Sequence, residues 1–298
     1  MNVLKKDQAQ MMLQIIATVL LFRFVLFENL IEELGLSKLH YFLLLIAIGI
    51  TIFGGVLLYK IVLQEEFPEK NIEKDINKAY YRYLAANMVA IGISFFVSSA
   101  IDKTYYFGFF LALFAILYLY MTQWRKVLVF DNAVYSLIIC APVFMLVVLD
   151  LMPSLQIYDS TVNLEKQQIL NISLQICTLL WLLYFIKTIL IDLKFMELDI
   201  KHKRKSLATI HGRILGAKRT TFLSFIPLIL IIIFCVLHIN LTILIGYIAV
   251  AVILPYLFYL AKLWKAKSTE DFNSINNILN IIIWLTIFSI VVLYFNLQ

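Results

Sequence analysis

Nine separate stretches of this chain are apolar over enough residues to cross a lipid bilayer, and that recurrence constrains the fold more than any other feature. The spans are expected at about 11–29, 40–62, 84–101, 105–122, 127–151, 168–191, 220–239, 241–262 and 275–296, with ends good to about 2–4 residues. Hydrocarbon offers no water to backbone N–H and C=O groups, so each span must satisfy them as a helix or as a strand of a closed barrel. Barrel strands alternate apolar and polar residues over short segments. These runs are solid, so the barrel is excluded. Composition agrees: 62% of the residues are hydrophobic and 15% are charged, against about 25% charged in soluble domains. The reading is an all-α integral membrane protein with nine transmembrane helices. No long polar region interrupts them, so residues 1–298 read as a single transmembrane domain.

Basic residues set the expected orientation, because loops on the cytoplasmic side retain Lys and Arg. With nine crossings, 19 of the 25 Lys and Arg fall on one side. They lie in the N-terminal tail and in the loops after the second, fourth, sixth and eighth spans. The opposite loops hold Lys38, Lys103 and Lys166. The expectation is an inner (cytoplasmic) membrane protein with its N-terminus in the cytoplasm and its C-terminus outside. The first apolar run carries Arg23 and no small-residue cleavage site, so it reads as a retained helix and not a leader. The +6 net charge follows mainly from this bias and calls for no nucleic acid. Two loops on the basic side, 63–83 and 192–219, are unusually rich in charge, and the nine-helix arrangement can bring them over one cavity mouth. The second suits a phosphate or diphosphate, or anionic headgroups.

Charges within the spans are few. An ionisable side chain at mid-bilayer costs about 2.5–3.5 kcal/mol on insertion scales, so it faces a cavity or a partner, or reaches for the interface. Arg23 sits deep enough in its span to favour a polar cavity. Lys60, Lys187 and Asp192 lie near span ends, where snorkelling and a functional role are both open. Cys140, Cys177 and Cys235 lie in apolar runs without metal-ligand spacing and read as buried or lipid-facing small residues. His202 and His211 have no further His or Cys beside them to complete a zinc site.

Five stretches, in order, resemble the UbiA-type intramembrane prenyltransferases. They are "ATVLLFRFVLFE", "GGVLLYKIVLQ", "INKAYYRYLAANMV", "LYLYMTQWRKVLVFDN" and "TILIDLKFMELDIKHKRKSLATIHGRILG". The resemblance covers most of the chain and implies a UbiA-like bundle. The chemistry it implies is transfer of a prenyl group from a prenyl diphosphate to an aromatic, quinone-precursor or glycerol-phosphate acceptor. Two aspartate-rich motifs in that family hold Mg²⁺, which stabilises the departing diphosphate. Carried over, the first motif falls on Tyr59, Lys60, Leu63 and Phe67, and its ligands are lost. The second falls on Asp192, Met196, Asp199 and Lys203. Asp199 is the one metal-motif aspartate kept, and Asp192 stands in for a glutamate, so these two are the candidate catalytic residues and Asp199 the candidate metal ligand. The cations fare better. Arg23, Lys60, Arg82, Arg125, Lys126, Lys203 and Arg204 are the candidate substrate-binding residues.

Three readings follow. One is a relative with lost or altered catalysis, a pseudoenzyme. Another is an active prenyltransferase whose metal ligands are displaced to Glu65, Glu66, Glu69, Glu73 and Asp75; Mg²⁺ is implied only here. The third is a metal-free site in which lysines at two former aspartate positions, Lys60 and Lys203, hold a polyprenyl phosphate or an anionic lipid directly. The expected partners are a prenyl diphosphate or polyprenyl phosphate lipid and the membrane lipids.

Overall fold

A computed structural model describes residues 2–31, 34–66, 76–156, 160–201 and 206–298. Among them, nine helices are long and apolar enough to span a membrane: α1 (Asp7–Leu30), α2 (Lys38–Glu65), α3 (Ile76–Ala100), α4 (Thr104–Thr122), α5 (Phe130–Leu151), α6 (Lys166–Lys194), α7 (Leu207–Leu237), α8 (Thr242–Lys265) and α9 (Thr269–Leu297). The described residues contain no strand. The chain is an integral membrane protein by this architecture. Hydroxyl groups that hydrocarbon would strand are returned to the helix that carries them. Thr18, Thr51, Thr220, Thr221, Ser224 and Thr286 each donate to the carbonyl four residues earlier, at 2.7–2.9 Å.

The chain divides into two compact units. One comprises residues 33–125 and 145–166. Here α2 and α3 pack along their lengths, which small residues allow. A Cβ at Gly54 would lie 2.8 Å from Asn87 Oδ1, and one at Gly55 would lie 3.3 Å from Leu117 Cδ2. The approach to α2 is fixed by the end of α5: Gly35 N–H donates to the Asp150 carbonyl at 2.9 Å and Leu36 N–H to Asp150 Oδ1 at 3.1 Å.

The other unit comprises residues 1–32, 126–144 and 167–298. Two of its helices start on serine caps. Ser206 and Thr209 exchange backbone N–H donors for side-chain oxygens at the head of α7, and Ser268 and Asp271 do the same for α9. Gly212, at φ 72°, breaks α7 early and turns its axis. A π-turn over Ile248–Ile253 precedes Pro255 in α8. Proline lacks the N–H an α-helix would use there, and a wider turn absorbs the lost bond. A second π-turn, Leu21–Phe27, lies in α1 and packs on α9.

Candidate functional site

In the unit that holds α2–α4, one of the cations expected to bind substrate, Arg125, meets the end of α2. Arg125, in the short turn Trp124–Lys126 after α4, lies with its guanidinium 5.0 Å from the centre of the Tyr59 ring. The Tyr59 ring serves as a platform for this cation. Arg125 Nη1 is shielded from solvent and has no hydrogen-bond partner among the described residues. A buried guanidinium N–H without an acceptor is costly, and an anion is the group that would satisfy it. Lys60 follows Tyr59 and is exposed, as is Arg82 on α3. Glu65, one of the acids open to a displaced metal site, instead accepts a 2.8 Å hydrogen bond from Tyr80. Glu69, Glu73 and Asp75 lie outside the described residues, as do Lys203 and Arg204. Lys126 closes the turn that carries Arg125.

In the second unit, Asp192 is buried near the end of α6, and its Oδ2 accepts from Asn132 Nδ2 at 2.8 Å. Asp199 sits on the short helix Met196–Lys201. That helix is tied to α7 by Arg213 and Glu197, 3.0 Å apart. Arg23 is 3% exposed and lies 3.4 Å from Glu28. Residues five apart point to different sides of an α-helix. The π-turn over Leu21–Phe27 brings them to one side, and this ion pair needs that local widening. The polar surroundings expected for Arg23 are therefore supplied in part by its own helix.

The described motif positions do not by themselves supply the donor set of a magnesium centre. Mg²⁺ takes near-octahedral oxygen ligands. The described positions of the two motifs carry Tyr59, Lys60 and Leu63 in one unit and Asp192, Met196 and Asp199 in the other, and one oxygen of Asp192 is engaged by Asn132. Among the described residues, no group of three or more His, Cys, Asp or Glu side chains is arranged to hold a metal.

Two features of this unit were not anticipated. Lys187 does not snorkel: it is fully buried, and it joins a polar layer made with α1 and α9. The signal lay in the helical spacing of Asp7 and Gln14, of Tyr184, Lys187 and Lys194, and of Asn276 and Asn280. The other is an apolar cavity of about 300 Å³ lined by Leu179, Phe234, Ile248, Val252 and Thr286 among others. Leu179 is thirteen residues before Asp192 on α6, about 20 Å at 1.5 Å per residue, so the cavity is not part of a headgroup site there.

No family model matches the chain, and no curated protein matches it in sequence. A solved structure described as digeranylgeranylglyceryl phosphate synthase in membranes superimposes with a TM-score of 0.63 at 16% identity. The match covers 98% of this chain and 99% of that one. The fold is the UbiA-like prenyltransferase bundle. It extends over essentially the whole chain.

Proposed function

We propose that this chain is a UbiA-superfamily membrane protein that binds a prenyl diphosphate or polyprenyl phosphate and in which metal-dependent prenyl transfer is lost or altered. The UbiA-like fold supports a relationship to enzymes that move prenyl groups. The observation that carries the anion-binding part is Arg125: stacked on Tyr59, with a buried Nη1 that lacks an acceptor. The substitution of metal-motif positions by Tyr59, Lys60, Leu63 and Met196 supports the loss of metal-dependent chemistry. A phosphate held by guanidinium and ammonium groups needs no bridging cation. On this reading Arg125 and Lys60 hold the headgroup, with Arg82 of the same unit adding positive potential. The protein sits in the cytoplasmic membrane with its N-terminus inside, as the distribution of Lys and Arg supports.

The test uses purified protein in detergent with radiolabelled geranylgeranyl diphosphate, with and without Mg²⁺, and a pool of quinone-precursor and glycerol-phosphate acceptors. Binding without product is expected. Mg²⁺-dependent product would contradict the proposal and point to Asp192, Asp199 and the acids of residues 65–75 as displaced ligands.

A further inference from the structure

α6 presents two polar faces. One carries Asp192, bonded to Asn132. Another carries Tyr184, Lys187 and Lys194, spaced by three and seven residues so that they stack along one side of the helix. This second side meets Asp7 and Gln14 of α1 and Asn276 and Asn280 of α9, all within one compact unit. Each of these side chains is at most 6% exposed.

The hydrogen bonds fix most orientations. Lys194 Nζ donates to Asp7 Oδ2 at 2.9 Å, and Asn276 Nδ2 donates to Asp7 Oδ1 at 3.0 Å. The carboxylate accepts and cannot donate, so the Asn276 amide cannot be turned round. Its Oδ1 then has no donor among the described residues, and neither does Asn280 Oδ1. Gln14 Nε2 donates to the Asn280 carbonyl at 3.3 Å, while its Oε1 accepts from Tyr184 OH and Lys187 Nζ, both at 3.3 Å. An ammonium has three N–H donors. Among the described residues, Gln14 Oε1 is the one acceptor given to that of Lys187, and the Tyr184 ring centre lies 5.7 Å away.

The layer thus has spare donors on Lys187 and spare acceptors on Asn276 and Asn280. A bound cation is disfavoured, because two lysines already face one aspartate. An anion is disfavoured, because the unsatisfied Asn276 and Asn280 groups are oxygens. The complement is a small neutral species that both donates and accepts, which is water; a buried water typically makes about three such bonds.

We propose that α1, α6 and α9 hold bound water within this layer, between the Lys194–Asp7 pair and Tyr184, where it bonds Lys187 Nζ and the Oδ1 atoms of Asn276 and Asn280. Ten residues separate Lys194 from Tyr184, about 15 Å of helix and half of a hydrocarbon core about 30 Å thick. Beyond Tyr184 this side of α6 continues with Leu180 and Cys177, both buried, which bounds the polar layer. The hydration explains how a fully buried lysine survives at a depth where a bare charge is expensive.

X-ray radiolytic hydroxyl labelling, read by mass spectrometry, tests this directly, because buried side chains are oxidised where a bound water lies beside them. Tyr184 and Tyr256 are both 0% exposed, and Tyr256 has its hydroxyl satisfied by the Ser224 carbonyl at 2.8 Å. Tyr184 should be labelled several-fold faster than Tyr256. Asn280→Leu should bring Tyr184 down toward the Tyr256 rate while Tyr256 stays unchanged, which also reports that the fold is kept. Equal labelling of the two tyrosines in the unaltered protein would overturn the proposal whatever the variant does.

Discussion

Arg125 bears on the account more than any other single side chain, because its stacking and its unsatisfied nitrogen make different demands. Charge-assisted hydrogen bonds contribute about 1.5–3 kcal/mol, so Arg125→Ala should weaken prenyl diphosphate binding by roughly 10- to 100-fold. Arg125→Lys should recover part of this and not all, since an ammonium cannot reproduce a planar group lying on Tyr59 and presenting a fork of N–H donors. Equilibrium binding of both variants checks the prediction; full recovery by lysine would mean that only charge matters. His238 makes a separate demand on stability. It follows α7, its Nε2 is 2.7 Å from Gln175 Oε1, and burial lowers its pKa below the usual 6.5. A histidine that resists protonation when folded binds more protons when unfolded. Its contribution is therefore full above about pH 6.5 and falls as the pH drops from there through the lowered folded-state value. A thermal unfolding series across pH 5–7 should show this slope and lose part of it in His238→Gln.

At the scale of the element, helix contacts depend on residues that a hydropathy profile treats as featureless. Gly54 lets α2 approach Asn87 of α3 so closely that a methyl group would sit 2.8 Å from Oδ1. Overpacking of this kind typically costs about 1–3 kcal/mol. Gly54→Ala should destabilise the protein by about that range, and adding Asn87→Ala should relieve most of the loss, because the obstructing atom is then gone. Denaturation of the single and double variants measures the coupling, and simple additivity would count against the contact. The sequence was informative about elements where the signal is continuous. An apolar helix must extend until a charge or cap ends it, and the nine spans anticipated from the residues correspond one to one with α1–α9. It was uninformative about how each helix is wound inside. The π-turn over Leu21–Phe27 has no polar pattern of its own, so the pairing of Arg23 with Glu28 could not be read from α-helical spacing.

For the whole molecule, the bundle was legible because solid apolar runs have few physical solutions, while the layer around Lys187 was not. Asp7 and Asn276 are 269 residues apart, and each alone resembles an ordinary polar residue near a span end. Only the tertiary arrangement brings them to one carboxylate–amide contact. At the proposed anion site the sequence singled out Arg125 by its charge and place, while its position over Tyr59 required the structure. Orientation gives a molecule-wide prediction. In a variant with its three native cysteines replaced, a membrane-impermeant maleimide applied to intact cells should label Gln298→Cys and spare Lys267→Cys; the reverse pattern would invert the proposed topology. The most direct test of the central claim is the affinity for radiolabelled geranylgeranyl diphosphate measured in Mg²⁺ and again in EDTA. The account predicts the same affinity in both, lowered by Arg125→Ala. Binding that disappears in EDTA would contradict it, because the headgroup would then depend on a metal and not on the cations that replaced one.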